Sequence, residues 1–459
     1  MESGKLHNSR PHTLRFLTSL LAVVCVSTSL HAGLNNNGGQ AVGGVLINPE
    51  GVVRNATIDE QRELANVARA AHQDPIGALT EATDMRMISL VGIQKALQEC
   101  HDAGTPIPSD LVYMAGMTRI QYVFVDTDRN DIILAGPAEP WEMQQDGSVV
   151  GTVSGKSTMR LADLIVALRT VEDARREGIS CSIEPTAEGR LNLRQMLRRV
   201  KLRPGQNPAI FEAQLKEAFG PQMILLSGVP KDCRYARILV AADYDMKRVA
   251  LALTPSNVRG LPSYLEMSQN SRHSATQNPR WWMACNYEAM VKSEDALAWK
   301  LTGQGVKTLT EQDVIAADGT VEGAGRSDKI ATKWAETMTD KYTELAKQMP
   351  VFGDLQSIMD MTVVATLISQ EQLDVKAGID MSTLQQQTDV VNLTSYAVPQ
   401  SVDPQCSFIR GRSGWVVTAS GGVDVNAFDV VRNQTVDAKV ADTRQTALAS
   451  AGERWWWNK

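Results

Sequence analysis

Residues 119–141 read RIQYVFVDTDRNDIILAGPAEPW, and the fold class follows from how this stretch must sit. Ile120, Tyr122 and Phe124 alternate with Gln121 and Val123, the period of two that sends successive side chains to opposite faces of a strand. Asp126 to Asp131 is a run of turn formers and Ile132 to Ala135 brings the chain back, so the segment is expected as a hairpin. Downstream the period changes. Leu161, Leu164, Ile165 and Leu168 share a helical face, Ile179 to Ile183 returns to strand, helices are expected near 188–200 and 209–219, and Met223 to Ser227 reads as another strand. Strands interleaved with helices in this way require mixed sheets flanked by helices, an α+β fold.

Upstream of the hairpin, Ile58, Leu64, Val67, Ala68 and Ala71 share a helical face, and a second helix is expected over Leu90 to Ala103, closed by Gly104. Far downstream, two long helices meet at Pro350. Asp328 to Gln348 carries Ile330, Trp334, Met338, Tyr342 and Leu345 on one stripe, with Ser327 or Asp328 as its cap. Val351 to Gln370 carries Phe352, Leu355, Met359, Val363 and Leu367. Proline breaks the first helix and suits the opening turn of the second, which gives a long, antiparallel or angled helix pair near residues 328–371. Cys406 to Val425 reads as short strands with glycine turns. The expected organisation is a signal peptide (1–32), a flexible Gly/Asn leader (33–56), a helical section (57–116) and a mixed α/β core (117–325). The helix pair (326–372) packs on that core, followed by a short β segment (373–430) and a polar tail (431–459) ending in Trp455, Trp456 and Trp457.

The first stretch sets the expected compartment. Lys5, Arg10 and Arg15 precede the mostly apolar run from Phe16 to Leu30, and small Ala32 offers a cleavage point. The run is shorter than the roughly 20 apolar residues a spanning helix needs, so cleavage rather than anchoring is expected. Later apolar runs, Met223 to Val229 and Ile358 to Ile368, are core-sized. The expectation is an extracytoplasmic chain, periplasmic or secreted, with no transmembrane anchor after cleavage. The net charge of −6 falls to −8 when Lys5, Arg10, Arg15 and Glu2 leave, which argues against nucleic acid as a partner. Cys100, Cys181, Cys233, Cys285 and Cys406 remain. Two alternatives stay open for them: one or two disulfides with a thiol left over, or buried free thiols.

The motifs that carry chemistry are incomplete. Gly151 to Ser157 (GTVSGKS) has three residues between its glycines where a phosphate-binding P-loop has four, and reads as a hairpin turn. Asp126 to Asp131 starts like a calcium loop, but Asp131 stands where glycine turns such a loop and Pro137 where a glutamate closes it. His72, His101 and His273 are dispersed, and Ser413 lacks the second glycine of a nucleophile elbow because Trp415 is there. No cofactor and no metal are expected.

What remains are isolated candidates. In AADYDMKRVALAL (241–253) a strand would put Asp243, Asp245 and Lys247 on one face as an acid/base pair with a tuning cation. A helix would make Asp243 an N-cap and place Asp245 at the positive helix start. Asp360 lies inside an apolar helix, and is either half exposed beside Gln356 or paired with an arginine from elsewhere. Glu266 and Asp360 join Asp243 and Asp245 as candidate catalytic carboxylates, with Arg280 as electrostatic partner. Trp281 and Trp282 are candidate binding residues, expected to straddle a strand with one ring inside and one outside.

Several of these stretches carry a resemblance. RIQYVFVDTDRNDIILAGPAEPW (119–141), ADLIVALRT (162–170), ISCSIEPTAEGR (179–190), AADYDMK (241–247), GLPSYLEM (260–267), RWWMACNYE (280–288), PVFGDLQSIMD (350–360) and GWVVTASGGVDVN (414–426) make the chain resemble an uncharacterised family of secreted planctomycete proteins, a domain of unknown function. The resemblance spans residues 57 to 426 and implies an exported bacterial protein; it brings no activity, cofactor or catalytic residue. The sequence therefore leaves the function unknown. The leading expectation is a non-catalytic binding or structural component of the envelope or periplasm, taking an envelope component or protein as partner. The alternative is a periplasmic hydrolase, which requires at least two of the four carboxyls in one cleft.

Overall fold

A computed structural model of the chain describes residues 42–48, 50–200, 206–269, 279–315, 321–323, 328–408 and 416–459. The expected signal peptide, the first part of the leader, His273 and Ser413 lie outside the described residues. Helices and strands make up about 44% and 24% of the described residues, an α+β composition.

Two sheets carry the architecture. A nine-stranded sheet runs, in spatial order, Val45–Ile47, Val52–Asn55, Ser401–Val402, Gln222–Ser227, Ile179–Pro185, Ser420–Val425, Pro279–Asn286, Gly305–Ile315, Val321–Gly323. A seven-stranded sheet runs Gln434–Val436, Met290–Lys292, Ala298–Lys300, Tyr122–Asp126, Asp131–Ala138, Thr83–Ser89, Trp456–Asn458. The hairpin read at 119–141 supplies two central strands of the second sheet, with Asp126 opposite Asp131. At its turn the Asp126 carboxylate accepts from the amides of Asp128 and Arg129, both at 3.1 Å, and from the Arg129 guanidinium at 2.9 Å. The oxygens of the calcium-like motif thus bind the turn itself. The P-loop-like turn is filled in a similar way: the Glu139 carboxylate accepts from the amides of Val153 (2.7 Å) and Ser154 (2.8 Å).

The central helix, Pro350–Gln370, has its proline in the first turn, where the missing N–H has no intrahelical partner to lose. Every residue from Val351 to Ile368 except Asp354 is buried. Among the described residues it is the one helix long and apolar enough to cross a membrane by length and composition, and 94% of that stretch lies inside the protein. It packs against helices Leu161–Arg169, Arg234–Ala250 and Tyr342–Gln348 and against the strand Gly305–Ile315. Helix Arg234–Ala250 in turn lies on the neighbouring strands Ile179–Pro185, Ser420–Val425 and Pro279–Asn286, covering these three on one face of the nine-stranded sheet.

Several expectations are corrected. The helix expected over 328–348 is two helices, Lys329–Asp340 and Tyr342–Gln348, interrupted at Lys341, and Asp328 is its N-cap position without a side-chain capping bond. The leader contains the paired strands Val45–Ile47 and Val52–Asn55, and the helical section contains the strand Thr83–Ser89. The polar tail is folded: it forms the strand Gln434–Val436, helix Lys439–Ala449 and the strand Trp456–Asn458, which places Trp456 opposite Ile88 and Trp457 opposite Met87. Arg86, wholly buried, fastens that last strand. Its Nε donates to Asn458 Oδ1 at 2.9 Å, its other nitrogens donate to the carbonyls of Ala78, Glu81 and Ala115, and its guanidinium lies 5.2 Å from the Trp456 ring centre. The five described cysteines are free. Burial pushes the Cys233 and Cys285 thiols up to about 12, which makes them packing groups rather than nucleophiles.

Candidate functional site

Of the segment 241–253, residues up to Ala250 belong to helix Arg234–Ala250, with Cys233 as its N-cap. Asp243 is therefore a mid-helix residue, which overturns its reading as a cap. Positions two apart on a helix are turned by about 200°, so Asp243 and Asp245 leave opposite sides and form no acid/base pair. Asp243 is completely buried: Oδ2 accepts from Lys247 Nζ and from the Ile183 amide, both at 3.0 Å, while Oδ1 has no partner. Lys247 also donates to the carbonyls of Ile183 (2.7 Å) and Gly421 (3.0 Å), which pins the helix to two strands. Burial pushes the Asp243 carboxyl up to about 7 despite the opposing pull of Lys247. Burial does the same to Asp245, also up to about 7, against Arg248.

Glu266 closes a capping box on the short helix Tyr264–Ser268, accepting from the Ser263 amide at 2.8 Å while Ser263 Oγ accepts from the Glu266 amide at 3.1 Å. Asp360 is fully buried, not half exposed. It accepts from Arg119 Nε (2.6 Å), Arg119 Nη2 (2.9 Å), Tyr287 Oη (2.7 Å) and the Ile120 amide (3.2 Å). Burial lowers the Arg119 pKa, but the Asp360 charge more than reverses this and leaves it raised. Asp243, Glu266 and Asp360 are thus tied into their own structural surroundings, while buried Asp245 has Arg248 as its charged neighbour.

The tryptophan pair does straddle a strand. On Pro279–Asn286, Trp281 is wholly buried; its indole donates to the Ala331 carbonyl at 3.3 Å and its ring centre lies 4.7 Å from Trp334 and 5.0 Å from Tyr264. Trp281 is a core residue, which removes it from the binding candidates. Trp282 points to the other side, and the strand registers show what it joins. Trp282 pairs with Leu309 on one side and Gly422 on the other, Gly422 pairs with Ser182, and Ser182 pairs with Leu225. Because side chains alternate, Leu225, Ser182, Trp282 and Leu309 form one outward row across five strands, with Gly422 adding no side chain between them. At roughly 4.8 Å per strand the row is about 19 Å long. Leu225 is 60% and Leu309 36% exposed, and Met223, one step along on the same face, is 41% exposed.

The borders of this row are charged. On one side Arg280 stands 3.6 Å from Glu184 and opposite Glu311 in the register; on the other, Asp424 and Lys307 flank Ala284. Two glycines let the strands come together here: a Cβ on Gly421 would lie 1.6 Å from the Trp281 carbonyl oxygen, and one on Gly422 1.8 Å from that of Cys181. The sequence reading had Trp282 and Arg280 but missed Leu225, Leu309, Met223 and Glu184. The alternation of Met223 and Leu225 with buried Gln222 and Ile224 was the available signal.

Residues 181–264, from the strand bearing Ser182 and Glu184 through the helix bearing Asp243, match a family model described as a protein of unknown function (DUF1598). The search of curated proteins and the search of solved structures each gave no match.

Proposed function

We propose that the chain is an exported, non-catalytic binding protein whose outward sheet face docks an extracytoplasmic protein. The observation that carries this is the cross-strand row of Leu225, Ser182, Trp282 and Leu309 with its charged border. An apolar centre holding one tryptophan, rimmed by both signs of charge, has the composition of a protein contact, where a few aromatic and arginine residues supply most of the affinity. A single indole among aliphatic side chains makes a poor platform for a saccharide chain, and the mixed border selects a partner with charges in the complementary order. The partner expected is a protein carrying an apolar patch edged by both charges, sharing the compartment to which residues 1–32 direct the chain.

The test is cross-linking of the mature protein through Lys307, on the border of the face, in intact envelopes, followed by quantitative binding to the protein so identified. Trp282→Ala is expected to weaken that binding by tenfold or more with an unchanged thermal midpoint, and Leu225→Ser by a smaller factor. Equal affinity of wild type and Trp282→Ala would overturn the proposal, as would self-association through this face seen by sedimentation.

A further inference from the structure

Helix Ala187–Arg199 (AEGRLNLRQMLRR) departs from the charge of the whole chain: Arg190, Arg194, Arg198 and Arg199 stand against Glu188 alone, in a protein of net charge −6. Its apolar side is already used. Leu193, Met196 and Leu197 pack with Phe211, Leu215 and Phe219 of the returning arm, Pro208–Phe211 and Glu212–Phe219. Gly189 sits so close to the Phe219 carbonyl that a Cβ would lie 2.1 Å from its oxygen, so the two arms run antiparallel as a helical hairpin. Arg198 and Arg199 therefore come at the far end, both exposed, and neither is paired with an acid among the described residues. The returning arm starts there with Ile210, 59% exposed.

The helix C-terminus alone would favour one or two cations in its last turn. Arg190, at the base of the hairpin, donates to the Pro185 carbonyl; at the tip, that account gives no reason for an isoleucine to stand bare beside Arg198 and Arg199. Guanidinium groups beside an uncovered aliphatic side chain are the pairing that an anionic bilayer surface rewards, with the cations held at lipid phosphates and the apolar group in the acyl boundary. The rest of an acidic chain is repelled by such a surface, so contact through this end is favoured over any other. We infer that the tip formed by Arg198, Arg199 and Ile210 is a peripheral membrane contact for anionic lipid, separate from the sheet face and independent of its role.

The mature full-length chain is tested by flotation with vesicles of 30% phosphatidylglycerol in phosphatidylcholine and with phosphatidylcholine alone. Binding is expected to the anionic vesicles only and to decline with added salt. Arg198→Glu with Arg199→Glu should weaken it at least tenfold, Ile210→Ser severalfold, and Trp282→Ala not at all, which keeps failure here distinct from failure of the sheet-face proposal. Since all three tip residues are exposed, an unchanged thermal midpoint identifies folded variants. Equal partition into both vesicle types, or wild-type binding by the double arginine variant, would overturn the inference.

Discussion

Asp360 in the central helix and Asp243 in helix Arg234–Ala250 are both mid-helix, wholly buried and paired with a cation, yet they are satisfied to different degrees. Asp360 accepts four hydrogen bonds, two of them from the fork of Arg119. Asp243 accepts two, both on one oxygen, and leaves the other bare. The planar guanidinium meets both carboxylate oxygens at once, whereas the lysine ammonium meets one and spends its other donors on the carbonyls of Ile183 and Gly421. The difference teaches that two buried ion pairs are not equivalent: the fork of an arginine engages both carboxylate oxygens, whereas a lysine ammonium can leave one of them bare.

The largest effect should come from breaking the satisfied pair. Asp360→Ala leaves the Arg119 guanidinium largely buried, with only the Gly303 carbonyl at 3.2 Å and the Tyr287 side chain beside it, and is expected to cost about 3–5 kcal/mol. Urea unfolding at neutral pH measures it. A cost below about 1 kcal/mol would mean Asp360 is held no better than Asp243 and would erase the contrast.

Legibility followed how local each determinant is. The helix Leu90–Ala103 was readable to its ends because its stop is local: Gly104 adopts the left-handed conformation, φ 62°, that glycine supplies cheaply. The hairpin at Asp126 to Asp131 was readable because its turn chemistry lies inside it. Asp360 was recognisable as an anomaly, but Arg119 lies 241 residues away and no spacing rule links them. The start of helix Arg234–Ala250 was hidden because Cys233 is an unusual cap, so Asp243 was placed too near a helix end. Trp456–Asn458 was taken for a tail because a three-residue strand at a chain end exists only through the edge of Thr83–Ser89 and the grip of Arg86. The outward row of the candidate face was hidden for a similar reason: its members come from five segments joined only by register.

The poorly satisfied pair should fail in a pH-dependent manner. The Asp243 carboxyl titrates near 7 in the folded chain against 3.8 for the free group, so between these values the folded form keeps a proton that the unfolded form releases, and its contribution to stability declines as pH rises through the window. Lys247→Met removes the charge that favours ionisation. At pH 5 Asp243 is neutral and the loss is that of the two carbonyl contacts, about 1 kcal/mol; at pH 8 an unpaired carboxylate must be buried or protonated, and about 2–4 kcal/mol is expected. Denaturant midpoints of wild type and variant at the two pH values check this. A cost equal at both would show that the Asp243 carboxyl does not change its charge within this window.

The smallest effect, and the sharpest, concerns Asp245, a buried carboxyl pushed up to about 7 by burial with Arg248 as its charged neighbour. Arg248 is well supplied without it: its nitrogens donate to Thr254 Oγ1 at 2.9 Å, Gln405 Oε1 at 3.1 Å and the Leu253 carbonyl at 3.2 Å. Asp245→Asn keeps the shape and removes the ionisation, so no cation is orphaned and the cost of burying a negative charge is gone. Relative to wild type the variant is expected to gain stability progressively as pH rises from about 3.8 to about 7, with a smaller gain at pH 5 than the gain on the order of 1 kcal/mol or more above pH 7. If Asp245→Asn were instead destabilising at pH 8, its carboxylate would be in use as a charge. Asp245 would then stand beside Asp360 in the comparison, and its claim to a chemical role would have to be reopened.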